Sequence, residues 1–109
     1  MVTVKLTAEA TGQLEGLPLV VKQRLREVVT RLQSWPTISG VKSLTGTLAG
    51  RYRARTGDYR VQFTVKTVRT ETKIEKRVKG KRKVETVVRL DYIVTVEKVG
   101  HRDGFYDER

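Results

Sequence analysis

The chain contains no cysteine, one histidine, one methionine, one tryptophan and two prolines. Without thiols it can form neither a disulfide nor a thiolate metal site, and nothing in it points to an oxidising compartment. A single imidazole falls short of the ligand set of a structural zinc site, so no metal and no cofactor is expected. The stretch from Met1 to Thr7 has no hydrophobic run of signal-peptide length, and no segment approaches the roughly 20 apolar residues of a membrane span. The expectation is a cytoplasmic chain with no membrane partner. Also missing are a phosphate-binding loop, a serine nucleophile motif and a paired-carboxylate site in an apolar setting.

Acids are scarce where bases are dense. The formal net charge is +11, and 14 of the 23 basic residues lie between Arg51 and Arg89, against the four acids Asp58, Glu71, Glu75 and Glu85. The remainder is close to neutral. Such a concentration suits nucleic acid, an acidic protein or an anionic surface, with the membrane last because no amphipathic anchor accompanies it. A length of 109 residues fits one domain, 1–109, with a single core.

Along the chain, Val2 to Leu6 gives a short strand signal, and Thr7 is placed to cap a brief helix carrying Ala10 and Leu14. Pro18 opens a second helix with Val21, Leu25, Val28, Val29 and Leu32 at three- and four-residue spacing, which ends at Trp35-Pro36. Thr37 to Gly50, rich in glycine, serine and threonine, is expected as a structured loop. Arg51, Arg53 and Arg55 then alternate with Tyr52, Ala54 and Thr56 up to a turn at Gly57-Asp58, and Tyr59, Val61, Phe63 and Val65 alternate on the return. The alternation continues past Val65 to a tip near Gly80 and comes back through Val84 to Val96, which predicts a basic β-arm inserted at about 67–87. A disordered basic loop is the alternative, and the β-branched residues oppose it. The fold expected is α+β: an N-terminal helix pair packed on a mostly antiparallel twisted sheet, with a long basic β-hairpin insertion.

His101 is the one side chain whose ordinary pKa, about 6.5, lets it exchange protons at neutral pH. RNA cleavage needs a group to take the 2′-hydroxyl proton, cations for the charge that develops on the phosphate, and an acid for the leaving oxygen. His101, with Arg102 and Tyr106 close by in sequence, lies after a strand, where a plain surface histidine is the competing interpretation. Arg53, Arg55 and Arg60 are expected to share one hairpin face, and the planar guanidinium fork suits phosphate. A solvated strand face is the competing interpretation there, weakened by the local lack of acids. On the arm, Lys76, Arg77, Lys79, Lys81, Arg82 and Lys83 either hold RNA without sequence preference or keep an edge soluble.

The second helix with its closing Trp35-Pro36, Val41 to Leu44, the runs Gly50 to Arg55 and Gly57 to Val61, and the tail from Val99 to Arg102 with Tyr106 together resemble the RelE/ParE superfamily of bacterial type II toxins, on its RelE-like messenger-cleaving branch. The resemblance spans nearly the whole chain apart from the arm. It implies a toxin neutralised by a cognate antitoxin, which enters the ribosomal A site and cleaves messenger RNA without metal. Arg53, Arg55, Arg60, Arg102 and Tyr106 match the family's site positions. Some members carry lysine at the first two, and arginine cannot give up its proton, so proton transfer shifts to His101. Lys42, Arg51 and the arm cations are expected to contact RNA, 16S ribosomal RNA included. The alternatives are a ParE-like DNA gyrase inhibitor and a non-catalytic RNA-binding module of the same fold.

Overall fold

The computed structural model describes residues 1–103, and these form five strands and two helices. Strand β1, Val2–Leu6, alternates half-buried Val2, Val4 and Leu6 with exposed Thr3 and Lys5. Thr7 ends it and caps α1, Ala8–Glu15, by accepting the Ala10 N–H on its side-chain oxygen. After Gly16 and Pro18, α2 covers Leu19–Arg31 and buries Leu25 and Val28; a single 3-10 turn, Leu32–Ser34, then buries Leu32. The segment expected as loop contains a three-residue strand, β2 (Val41–Ser43), and a second 3-10 turn at Gly46–Leu48. Strands β3 (Arg51–Thr56), β4 (Tyr59–Val78) and β5 (Lys81–His101) complete the sheet.

The strand order is β1-β5-β4-β3-β2. Strand β1 runs parallel to β5, with Val4 beside Val94, while the other three pairings are antiparallel. Two corrections to the expected fold follow. The sheet is mixed, because β1 adds to β5 as a parallel edge that strand alternation alone does not reveal. The helices are not one packed pair laid across the sheet: α1 lies against β5 and α2 against β3, and Glu15 ties them through ion pairs to Lys22 and Arg26 at 3.3 and 3.2 Å. The arm itself is present as a β-hairpin and not as a loop, since β4 and β5 run unbroken for 20 and 21 residues from core to tip.

Side chains from both helices and from β3, β4 and β5 meet in one buried cluster around Leu25, Leu32, Val61, Phe63, Val94 and Val96. Burying each of the larger ones stabilises the chain by about 1.5–3 kcal/mol. Trp35 meets the rings of Tyr52 and Phe63 edge-on at 4.9 and 5.9 Å, and Tyr52 stacks on Phe63 at 5.7 Å. Tyr52 is therefore a wall of the core.

Beyond Thr67 the sheet narrows to β4 and β5 alone, and every residue from 66 to 90 is exposed. The pairing runs from Thr67 opposite Tyr92 to Val78 opposite Lys81, around a turn in which Lys79 and Gly80 both take positive φ, 54° and 74°. The projecting part thus reaches a few residues further along β5 than the expected boundary at 87. A compact chain of this length would have a radius of gyration of about 13 Å; the value is 19.0 Å, with a longest dimension of 66 Å. No helix among the described residues is long and apolar enough to cross a membrane.

Candidate nucleic-acid interface

Strand register sorts the candidate residues by face. Tyr52, Ala54 and Thr56 stand opposite Phe63, Val61 and Tyr59, and this side faces the helices. On the other side Arg55 lies directly opposite Arg60, Arg53 opposite Gln62, and Arg51 opposite Thr64. The rows extend outward, with Lys42 of β2 opposite Arg53 and Lys98 of β5 opposite Gln62. Two cross-strand pairs, Arg55 with Arg60 and Lys42 with Arg53, therefore set cation against cation, an arrangement that costs stability unless counter-charge is supplied. Among the described residues no carboxylate comes within ion-pairing distance of Arg53, Arg55, Arg60 or Lys42. Gln62, only 7% exposed, is the buried polar residue of this face.

Individual geometries refine the picture. A shallow cleft of about 240 Å³ opens between β2, the following 3-10 turn and Arg53, lined by Lys42, Ser43, Leu44, Thr45, Leu48 and Arg53. The Arg53 Nε atom is buried there without a hydrogen-bond partner, a donor awaiting an acceptor. Arg60 folds back on the turn, its Nη1 donating to the carbonyl oxygens of Gly57 and Tyr59, each at 3.3 Å. Arg51, expected among the RNA contacts, is instead held by Glu97, Nε to Oε1 at 3.0 Å.

A bulge on β5 decides where the tail residues go. Gln62 pairs with Lys98 but Phe63 pairs with Val96, leaving Glu97 as the extra residue. Strand parity shifts there: Val94 and Val96 face the core before the bulge, and Val99 does so after it. The Val99 N–H released from regular pairing donates to Gln13 Oε1 of α1 at 2.7 Å, and Thr7 Oγ1 donates to the Glu97 carbonyl at 3.3 Å. The first helix thus holds the bulge in place.

In consequence His101 stands opposite Tyr59, on the core side, with the two rings edge-to-face at 5.3 Å. The arginine pair and Lys98 belong to the opposite side. The structure does bring His101, Arg60, Arg55 and Arg102 to the same end of the sheet, around the Gly57-Asp58 turn. The Arg102 N–H donates to the Asp58 carbonyl at 2.6 Å, and its Nε lies 3.7 Å from Asp58 Oδ1. His101 Nδ1 lies 3.1 Å from the Asp103 N–H and 3.5 Å from Asp103 Oδ2, with 42% of the side chain exposed. Tyr106 lies outside the described residues. Glu97, Gln13 and Lys98 were not singled out from sequence; the usable signal was Val99 following Val96 at a spacing of three, which breaks strict alternation.

The arm cations form a separate group. Lys76 pairs with Glu85 at 3.1 Å and Arg82 with Glu75, while Arg77, Lys79, Lys81 and Lys83 have no carboxylate partner among the described residues.

No family model matches this sequence, and no curated protein matches it. Solved structures do. The RelBE2 toxin–antitoxin complex of Mycobacterium tuberculosis is similar over 92% of this chain and 96% of its own, with 24% identity and a TM-score of 0.61. The archaeal RelE–RelB complex of Pyrococcus horikoshii is 24% identical over 92% and 93%, with a TM-score of 0.55. The RelB–RelE complex of Methanococcus jannaschii is 15% identical over 94% of each chain, with a TM-score of 0.53. These likenesses establish a shared fold. They correct the sequence-based assignment to the RelE/ParE superfamily and its messenger-cleaving branch: each neighbour is a two-component complex, and similarity at this level assigns this chain to neither component.

Proposed function

We propose that this chain is the toxin of a two-component toxin–antitoxin system and that it acts on messenger RNA at the ribosome by metal-independent cleavage. The observation that carries the reading is the paired-cation face, Arg55 with Arg60 and Lys42 with Arg53, held by a well-packed core with no carboxylate partner among the described residues. A face built at an electrostatic cost awaits a polyanion, and guanidinium forks match the non-bridging oxygens of a phosphodiester. The toxin–antitoxin context is taken from the structural neighbours, which are complexes of that kind. The antitoxin is then an acidic partner that masks the same cations.

In the cleavage reading, the 2′-hydroxyl loses its proton as it attacks phosphorus, and the 5′-oxygen leaves with a proton. Arg53, Arg55 and Arg60 neutralise the charge that accumulates on the phosphate oxygens, Arg102 assists, and His101 at the same end of the sheet transfers a proton. Tyr106 is assigned to position a base. A second reading, RNA binding without cleavage, is favoured by one observation: register sets His101 on the side opposite the arginines.

Brief induction in cells, with mapping of messenger 5′ ends on ribosomes and a parallel supercoiling assay, separates the readings. Cleavage predicts new ends inside coding regions that vanish in His101→Ala and Arg60→Ala, with growth arrest lost and folding intact. Intact transcripts with steeply salt-dependent RNA binding support the binding module instead. Blocked supercoiling with intact transcripts identifies a gyrase inhibitor.

A further inference from the structure

We propose that the β-arm is a second, independent RNA-docking element, a finger that anchors the protein on folded, duplex-containing RNA through phosphate contacts alone. Between residues 67 and 90 the chain carries nine cations, three acids and no aromatic side chain. Proteins that grip single strands use aromatic platforms for the bases; an arm without any can address only the backbone, which a folded RNA presents in fixed array.

The cations surround the tip. Arg77 stands directly opposite Arg82 on one face, Lys76 opposite Lys83 on the other, and Lys79 occupies the turn next to Lys81. Glu75 and Glu85 offset Arg82 and Lys76, so Arg77, Lys79, Lys81 and Lys83 remain as charge with no carboxylate partner among the described residues. Like charges opposed on a two-stranded ribbon, without a core beneath them, weaken the tip until anions occupy both sides. Charge on every side suits insertion between phosphate backbones and does not suit contact with one flat surface. It also repels a second copy of the arm. The choice of RNA over DNA rests on the RNA-directed reading of the arginine face.

The test is fluorescence anisotropy of the full chain against a labelled RNA stem-loop, with duplex DNA of the same sequence and poly-glutamate as competitors. The variant Arg77→Gln/Lys79→Gln/Lys81→Gln/Lys83→Gln should bind about 100-fold more weakly at 100 mM salt, and the slope of log affinity against log salt should fall by roughly 3 to 4. Lys79→Arg/Lys81→Arg/Lys83→Arg should retain wild-type binding. Neutralising Lys5 and Arg31, exposed on the body, should leave both quantities unchanged. Unchanged affinity and slope in the tip variant overturn the proposal, as does wild-type preference for duplex DNA or for poly-glutamate. Wild-type protein that binds the stem-loop through the tip but leaves messenger uncut overturns the cleavage reading and not this one. Protein that cuts messenger while its tip variant binds unchanged overturns this one alone.

Discussion

Strand β4 is two different structures in one stretch of chain. From Tyr59 to Val65 it lies between β3 and β5 beneath the helices, and Val61, Gln62 and Phe63 are buried. From Lys66 to Val78 the same alternation continues, yet both faces and the outer edge meet water. Periodicity is therefore not burial. Ile74, Val84 and Val88 have the same chemistry as core residues, but each stands opposite a charged residue, Glu85, Glu75 and Glu71, and none finds a partner layer. In the body, packing fixes the strands and cations are held against their repulsion. On the arm, only ladder hydrogen bonds and side-chain pairs oppose fraying, and a two-stranded ribbon by itself is marginal in water.

The sharpest way to break this contrast is a pair of truncations. Phe63→Ala, which removes a ring that is 0% exposed and packed on Trp35 and Tyr52, should cost about 3–5 kcal/mol. Val88→Ala on the arm should change global stability by less than about 0.5 kcal/mol. Chemical denaturation of the two variants checks this; equal losses would mean that the arm is part of the cooperative unit.

Next in size is the support of the bulge. Gln13→Ala leaves the Val99 N–H unpaired at the point where strand parity shifts, so a loss of about 1–2 kcal/mol is expected. Amide exchange should quicken at Val99 and His101 and stay unchanged at Val78 on the arm. A uniform acceleration over both regions would show that the bulge is not locally held by α1.

Smaller still, and opposite in sign, is the relief of like charge. Arg55→Gln removes the repulsion with Arg60 across a rigid pair and should raise stability by about 0.2–1 kcal/mol while weakening RNA binding. Arg77→Gln, facing Arg82 on the arm, should leave the melting temperature unmoved. A loss of stability at Arg55 would remove the electrostatic reason for reading that face as a ligand site.

Much of this was legible in the residues, and the gaps have physical causes. Thr7 as a cap, Pro18 as a helix opener and the 51–65 hairpin declare themselves through short-range chemistry, and so does the side on which Arg53, Arg55 and Arg60 project. Strand β2 did not, because three residues among glycines and threonines carry too little pattern. The parallel edge pairs residues some 90 positions apart, and no local signal encodes that. At the site, the bulge moved His101 from the arginine side to the Tyr59 side through a single extra residue, Glu97, whose only trace in sequence is the displaced Val99. That displacement bears directly on function, since it separates the proton-transfer candidate from the phosphate-binding candidates by the thickness of the sheet.

The smallest effect expected concerns the link between the helices, and its sign can be worked out. A hydrogen bond and the positive charge of Lys22, with Arg26 adding to both, hold the Glu15 carboxyl below the usual glutamate range. A carboxyl with a lowered folded-state pKa contributes stability above its unfolded-state value, and the contribution disappears as pH falls through the folded-state value. Glu15→Gln should therefore lower the melting temperature slightly at pH 7, and the difference from wild type should close in the acidic range. The effect must be slight because the pair is solvent-exposed and screened, and it should shrink further in high salt. A difference that persisted at low pH would mean that Glu15 joins α1 to α2 by packing and not by charge. The two helices would then behave as one unit on the sheet, and the body would be more cooperative than its separate contacts to β5 and β3 indicate.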